Sequence, residues 1–175
     1  MATQIKYPQQ ARRRNSRQAG NLYAETALVI VPFFALLLGI IDFGTAIFVR
    51  NTIQSAVASG VRYAVTYQTK PGFCMDDSIR MVTQANALGF LGAASAPNQN
   101  ITVSYFNTTN LGTPLNGAAN QPLNVVEVNA HYSWSWLSML SGVLGSPRSA
   151  TPLNIVAYSS DRLGGLPPGS VPPCR

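Results

Sequence analysis

The sixteen residues from Thr26 to Ile41 (TALVIVPFFALLLGII) carry no charge, and this run decides most of what the chain can become. A helix that crosses a bilayer needs about 20 mostly apolar residues. Leu22 to Val49 supplies them, with Glu25 near one end and Asp42 near the other. At a rise of about 1.5 Å per residue the two acids stand about 25 Å apart. Each can then lie near an interface, and neither sits at the bilayer centre, where a carboxylate is costly. Pro32 falls inside the run. It would argue against a helix interior in water. In lipid, where the backbone has no water to turn to, a kinked helix tolerates it.

Five basic residues, Lys6, Arg12, Arg13, Arg14 and Arg17, precede the run without an acid among them. Immediately before a hydrophobic stretch, such a cluster reads as a cytoplasmic retention signal and implies an N-terminus inside and a C-terminus outside. An arginine cluster is also a nucleic-acid signal. No basic stripe with interleaved aromatics follows it, however, and no nucleic-acid partner is expected. The chain has 175 residues, a net charge of +6 and only 10 % charged residues, against roughly 25 % in an ordinary soluble domain. That balance suits a chain that lives partly in lipid or packs against copies of itself.

Past the run, Ile53, Val57, Val61 and Ala64 recur at helical spacing with Ala56 and Gly60 between them, an apolar stripe with small residues. Nothing between Val49 and Ile53 interrupts the helix. The pattern therefore predicts one helix from about Asn21 to Tyr67, on the order of 70 Å long, stopped by Lys70-Pro71-Gly72. A second helix follows Asp76-Asp77-Ser78, with Ile79, Val82, Ala85 and Leu88 in phase and Gly89 as its stop. The aspartates fit a helix N-terminus through capping and the dipole. The stretch 92–121 is loop-rich, with a short strand at Ile101–Tyr105. Val126, Val128, Ala130, Tyr132 and Trp134 alternate with polar residues and mark a half-buried strand. Trp136 to Leu144 reads as a short apolar helix or a hydrophobic loop, Leu153 to Ser159 as a last strand, and Gly164 to Arg175 as a Gly/Pro-rich tail, flexible except where Cys174 ties it down. The expected division is a disordered basic leader over 1–20, a transmembrane helix over 21–49, its continuation outside the membrane over 50–70, and a small domain over 71–175. The fold class is α+β: a long transmembrane helix acting as a spine, with a small antiparallel sheet outside the cytoplasm.

The cysteines are Cys74 and Cys174. Two lone cysteines outside the cytoplasm most naturally form one disulfide; two unpaired thiols are the alternative. With His131 as the single histidine, no metal-ligand spacing is present. No phosphate loop or nucleophile elbow occurs either. Neither catalysis nor a cofactor or metal is expected.

The junction Gly20-Asn21-Leu22-Tyr23-Ala24-Glu25 joins the leader to the run. It resembles the processing site of type IV pilin-like proteins: basic leader, glycine, cut, and a glutamate as the fifth residue of a hydrophobic helix. A glycine lets the chain lie extended in a protease cleft. A carboxylate in the first turn is favoured by the helix dipole and can pair with an amine on a neighbouring helix in lipid. The wider pattern, AETALVIVPFFALLLGIIDFGTAI followed by NTIQSAVASGVRYAV, resembles the TadE-like family, minor pseudopilins of the tight-adherence (Tad, Flp) pilus system. Glu25, Pro32, Gly39, Asp42, Gly44 and Arg62 carry that resemblance over about residues 17–66. Thr26 stands where the family usually has an aromatic, and Asn21, not Phe, would be the new first residue. The major Flp pilins carry Tyr after the glutamate and are far shorter, so the resemblance is to a minor subunit.

The resemblance implies a structural pseudopilin or assembly factor in the bacterial inner membrane, cut between Gly20 and Asn21 by a prepilin peptidase. Glu25 would serve assembly, and Pro32, Gly39, Asp42 and Arg62 helix packing. The implied partners are other pilin and pseudopilin subunits, the inner-membrane assembly platform and the lipid bilayer. The alternative is a secreted or membrane-anchored periplasmic binding module. In its secreted form the run would be a signal peptide ending at Gly44-Thr45-Ala46.

Overall fold

A computed structural model describes the backbone of residues 16–93, 97–117, 119–135 and 152–175, with side chains described from Tyr23 onward. It contains helix α1 (Ser16–Val65), helix α2 (Met75–Asn86) and strands β1 (Ile101–Phe106), β2 (Val125–Trp134) and β3 (Leu153–Arg162). The fold is the expected α+β arrangement of a long apolar helix and a three-stranded antiparallel sheet. The expected short helix or loop over Trp136–Leu144 lies outside the described residues. So does the leader up to residue 15. Residues 16–20, read from sequence as disordered leader, are instead the first residues of α1. Their polar side chains are no obstacle, since Arg and Gln are good helix formers.

The chain divides into two compact units, residues 1–41 and 42–175. In the first, the side chains of α1 point outward on every side. Leu28, Val29, Phe33, Phe34, Leu36 and Ile40 are all exposed, and burying each would be worth about 1.5–3 kcal/mol. A helix that is apolar all round belongs in lipid or among other helices. It is the one helix, among the described residues, long and apolar enough to cross a membrane. Pro32 sits inside it without ending it, which leaves the Leu28 carbonyl without its usual donor.

In the second unit α1 becomes one-sided. Val49, Ile53, Ala56, Val57, Val61 and Ala64 are buried, the three- and four-residue spacing of a single face. Ala56, Gly60 and Ala64 form a smooth ridge on it, against which α2 comes close. A Cβ on Gly60 would run into the Thr83 hydroxyl, which already donates to the Ile79 carbonyl at 2.9 Å. Glycine at position 60 is therefore a matter of space.

The sheet supplies the other wall of the core. Its order is β1-β2-β3. The register pairs Val103 with Val128, Tyr105 with Val126, and Ala130 with Ala157. The period of two then sends Ile101, Val103, Tyr105, Val126, Val128, Ala130, Ile155 and Ala157 into one core. Glu127, Asn129 and His131 fall on the opposite face. β3 runs three residues further than the sequence suggested, to Arg162, because β2 offers it a partner at every position from Val125 to Trp134. From the α1 side, the Gln54 amide donates to the Tyr158 carbonyl of β3 at 2.8 Å.

Candidate functional site

The residues marked out by sequence do not converge. Gly20 and Asn21 lie within the helical backbone near the start of α1, not in the extended segment that a protease cleft would require. Glu25 is exposed and, among the described residues, has no hydrogen bond or ion pair. Pro32 and Gly39 are exposed on the same helix, and a Cβ on Gly39 or Gly44 would meet open space. Nothing within the chain requires glycine at either position. Asp42 is half-buried, and its carbonyl accepts the Thr45 hydroxyl at 2.7 Å. Arg62 is exposed in the last turn of α1, where a cation suits the helix dipole.

Cys74 and Cys174 do come together. They form a disulfide with their Cα atoms 4.9 Å apart, across a sequence separation of 100. Cys74 is also the N-cap of α2, although it makes no side-chain capping bond. The aspartates follow it inside the first turn of α2, rather than preceding the helix. There they favour the dipole, but they do not cap: each holds a side-chain partner instead. Asp77 pairs with Arg80 one turn on, at 3.2 Å. Asp76 reaches across the fold.

That reach builds a cluster that the sequence reading missed. The Tyr105 hydroxyl donates to one Asp76 oxygen at 2.7 Å, and the Arg175 Nε donates to the other at 2.9 Å. The Arg175 guanidinium also lies over the Tyr105 ring, 4.8 Å from its centre, a cation–π contact, and donates to the Gly117 carbonyl at 2.9 Å. Beside it, the buried Asn120 amide donates to the Pro173 carbonyl at 2.8 Å, and the Met75 amide donates to the Cys174 carbonyl at 2.7 Å. The end of the tail is thus held by much more than the disulfide. A signal for this was present, since Asp76 and Arg175 stand beside the two cysteines and pairing the cysteines brings the charges together. The cluster borders an open cleft of about 670 Å³, lined by Asp76, Asn120 and the tail from Val171 to Arg175.

Burial pushes the Tyr105 phenol well above its ordinary value of 10, and the neighbouring Asp76 charge and hydrogen bond push it the same way, while Arg175 opposes them. The neutral phenol is therefore the form the fold selects. Below about pH 10 both folded and unfolded chains keep the proton. Above it only the unfolded chain loses it, so stability falls with rising pH by up to about 1.4 kcal/mol per unit from this group. Tyr105→Phe should remove that part of the slope, leaving what the similarly shifted Tyr67 contributes. Urea midpoints of the two proteins measured between about pH 9 and 11 check it, and parallel slopes would show that Tyr105 does not carry the effect.

The family model described as TadE-like protein matches residues 23–62. No curated protein and no solved structure matches the chain. The matched segment contains Glu25, Pro32, Gly39, Asp42 and Arg62 and starts just past Gly20 and Asn21. Over residues 23–62 the chain is similar to TadE-like proteins, a likeness that points to the Tad pilus system.

Proposed function

We propose that the protein is a minor pseudopilin or assembly factor of a Tad pilus: a structural subunit anchored in the bacterial inner membrane by its first helix. The observation that carries this is the outward-facing apolar surface of residues 23–41, with one carboxylate, Glu25, at its start. Such a helix is suited both to lipid and to lateral packing against other apolar helices. Prepilin peptidase would cut after Gly20, removing the basic leader, and the mature helix would then pack with those of other pilin and pseudopilin subunits. Gly39 and Gly44, which face open space, would let a neighbouring helix approach closely.

The topology follows from the leader. Its five positive charges hold the N-terminus in the cytoplasm, which puts the disulfide-containing domain in the oxidising periplasm. Two measurements test the proposal. A phosphatase fused after Tyr67 should be active, and activity of a cytoplasmic reporter alone at that point would reverse the topology. The mature protein should begin at Asn21 by mass or N-terminal sequencing. An intact Met1 end in piliated cells would end the pseudopilin reading.

A further inference from the structure

The domain of residues 42–175 gathers its ion pairs at one end and its ring contacts at the other, although Leu123 and Val171 are exposed at the first as well. One holds the disulfide, Asp76, Asp77 and Arg175, with Asp161 and Arg162 at the finish of β3. The other is apolar and aromatic. Phe90, in the turns after α2, has its ring 6.3 Å from Phe48 of α1 and 6.0 Å from Tyr132 near the end of β2. Trp134 and Leu153, cross-strand partners, extend the same end, and Leu88 stands two residues before Phe90. Much of this surface is open: Phe48 is 55 %, Leu88 70 % and Leu153 43 % exposed.

Leu88 is the most informative of these residues. Its φ of 50° lies in the left-handed region, which glycine or asparagine occupies at lower cost than leucine. Its side chain is mostly in solvent, so neither the backbone nor the core asks for leucine there. Within the same unit, α1 adds Phe43 and Ile47 to Phe48 as exposed apolar side chains, in the residues that directly follow the apolar run in sequence. Arg50, exposed, stands two residues past Phe48. Aromatic rings, leucines and one arginine beside the end of a spanning helix match the chemistry of the headgroup–acyl boundary. Rings rest there at headgroup depth, and a guanidinium meets lipid phosphate.

We propose that this end is a collar that seats the domain on a phospholipid bilayer, with Phe48, Leu88, Phe90, Trp134 and Leu153 against lipid and Arg50 at the phosphates. The inference rests on the reading of α1 as a membrane span.

The sequence holds two tryptophans, Trp134 and Trp136, so in a Trp136→Phe chain the indole fluorescence comes from Trp134 alone and reports on this end. That full-length chain is reconstituted into vesicles of phosphatidylcholine and phosphatidylglycerol, with or without bromine in the upper acyl chain. Brominated lipid should lower the emission at least about twofold, because interfacial apolar side chains lie within reach of the quencher. Leu88→Asn with Leu153→Thr should restore most of it. These substitutions suit the left-handed backbone and the strand respectively, and unchanged near-ultraviolet circular dichroism would show that the fold is kept. Equal emission in both lipids, from protein that floats with the vesicles after an alkaline wash, overturns the collar and leaves the span standing. Emission that is unquenched but changes with the protein-to-lipid ratio would assign the patch to a second copy of the chain and also overturns it. Protein that does not float at all removes the span, and the collar with it.

Discussion

Removing the Cys74–Cys174 disulfide should cost the domain about 3–5 kcal/mol. The bond closes a loop with a sequence separation of 100, and the chain-entropy estimate for a loop of that size is about 4.7 kcal/mol. The native state keeps other links between the same regions when the bond is gone. The Arg175–Asp76 ion pair and the Asn120–Pro173 and Met75–Cys174 hydrogen bonds all remain available. They stabilise the folded chain but do nothing to shorten the unfolded one, so they do not replace the bond's effect on the denatured state. Set against a total of about 5–15 kcal/mol for a typical domain, the loss is large enough to confine stable folding to an oxidising compartment. Cys74→Ser should lower the urea midpoint by roughly 2 M for a slope of about 2 kcal/mol/M, and reductant should do the same to the native sequence. Coincident unfolding curves with and without reductant would show that the two regions are held together as tightly in the unfolded chain, and would remove the bond as a source of stability.

Cleavage and assembly should separate in two variants. Gly20→Leu should leave the protein uncut, with the twenty leader residues still attached. Gly20 lies in helical backbone, so a peptidase that cuts there would have to unwind the start of α1 before the chain could lie extended in its cleft. Glycine makes that easier, being about 1 kcal/mol less favourable in a helix than alanine. Leucine restores helix propensity and also adds a side chain at the scissile bond. Glu25→Ala should be cut as usual but support few or no pili. An exposed carboxylate at the start of an apolar helix is tolerable at an interface, yet once helices pack in lipid it must find a cation. The new N-terminal amine of a neighbouring subunit would be that cation. Immunoblots of precursor and mature protein, read beside counts of surface pili, check both variants. Full piliation in Glu25→Ala cells would reduce Glu25 to an interfacial anchor, while normal cleavage of Gly20→Leu would remove Gly20 from the recognition of the site.

What the sequence determined by itself is what rests on local periodicity and on residue chemistry that needs no partner. The uncharged run from Thr26 to Ile41 announced a spanning helix wherever the rest of the chain lies. The stripe Ile53–Val57–Val61–Ala64 continued it, and the alternation from Val126 to Trp134 defined a half-buried strand. The cysteine pair was legible because there were only two to pair. Tertiary structure decided which distant residues meet. Asp76 reads locally as a helix-start carboxylate, and only the packing of α2 against β1 brings it to Tyr105, 29 positions away. The disulfide then carries Arg175, 99 positions away, to its other oxygen. Gly60 looked like one small residue in a stripe until Thr83 occupied the place of its Cβ. Phe48 of α1, Phe90 of the turns after α2 and Tyr132 of β2 became one apolar end only when those segments were stacked. A repeat of two or 3.6 residues says which face of an element is buried. It does not say which other element covers that face, because the free energy of that choice lies in contacts between residues far apart in the chain.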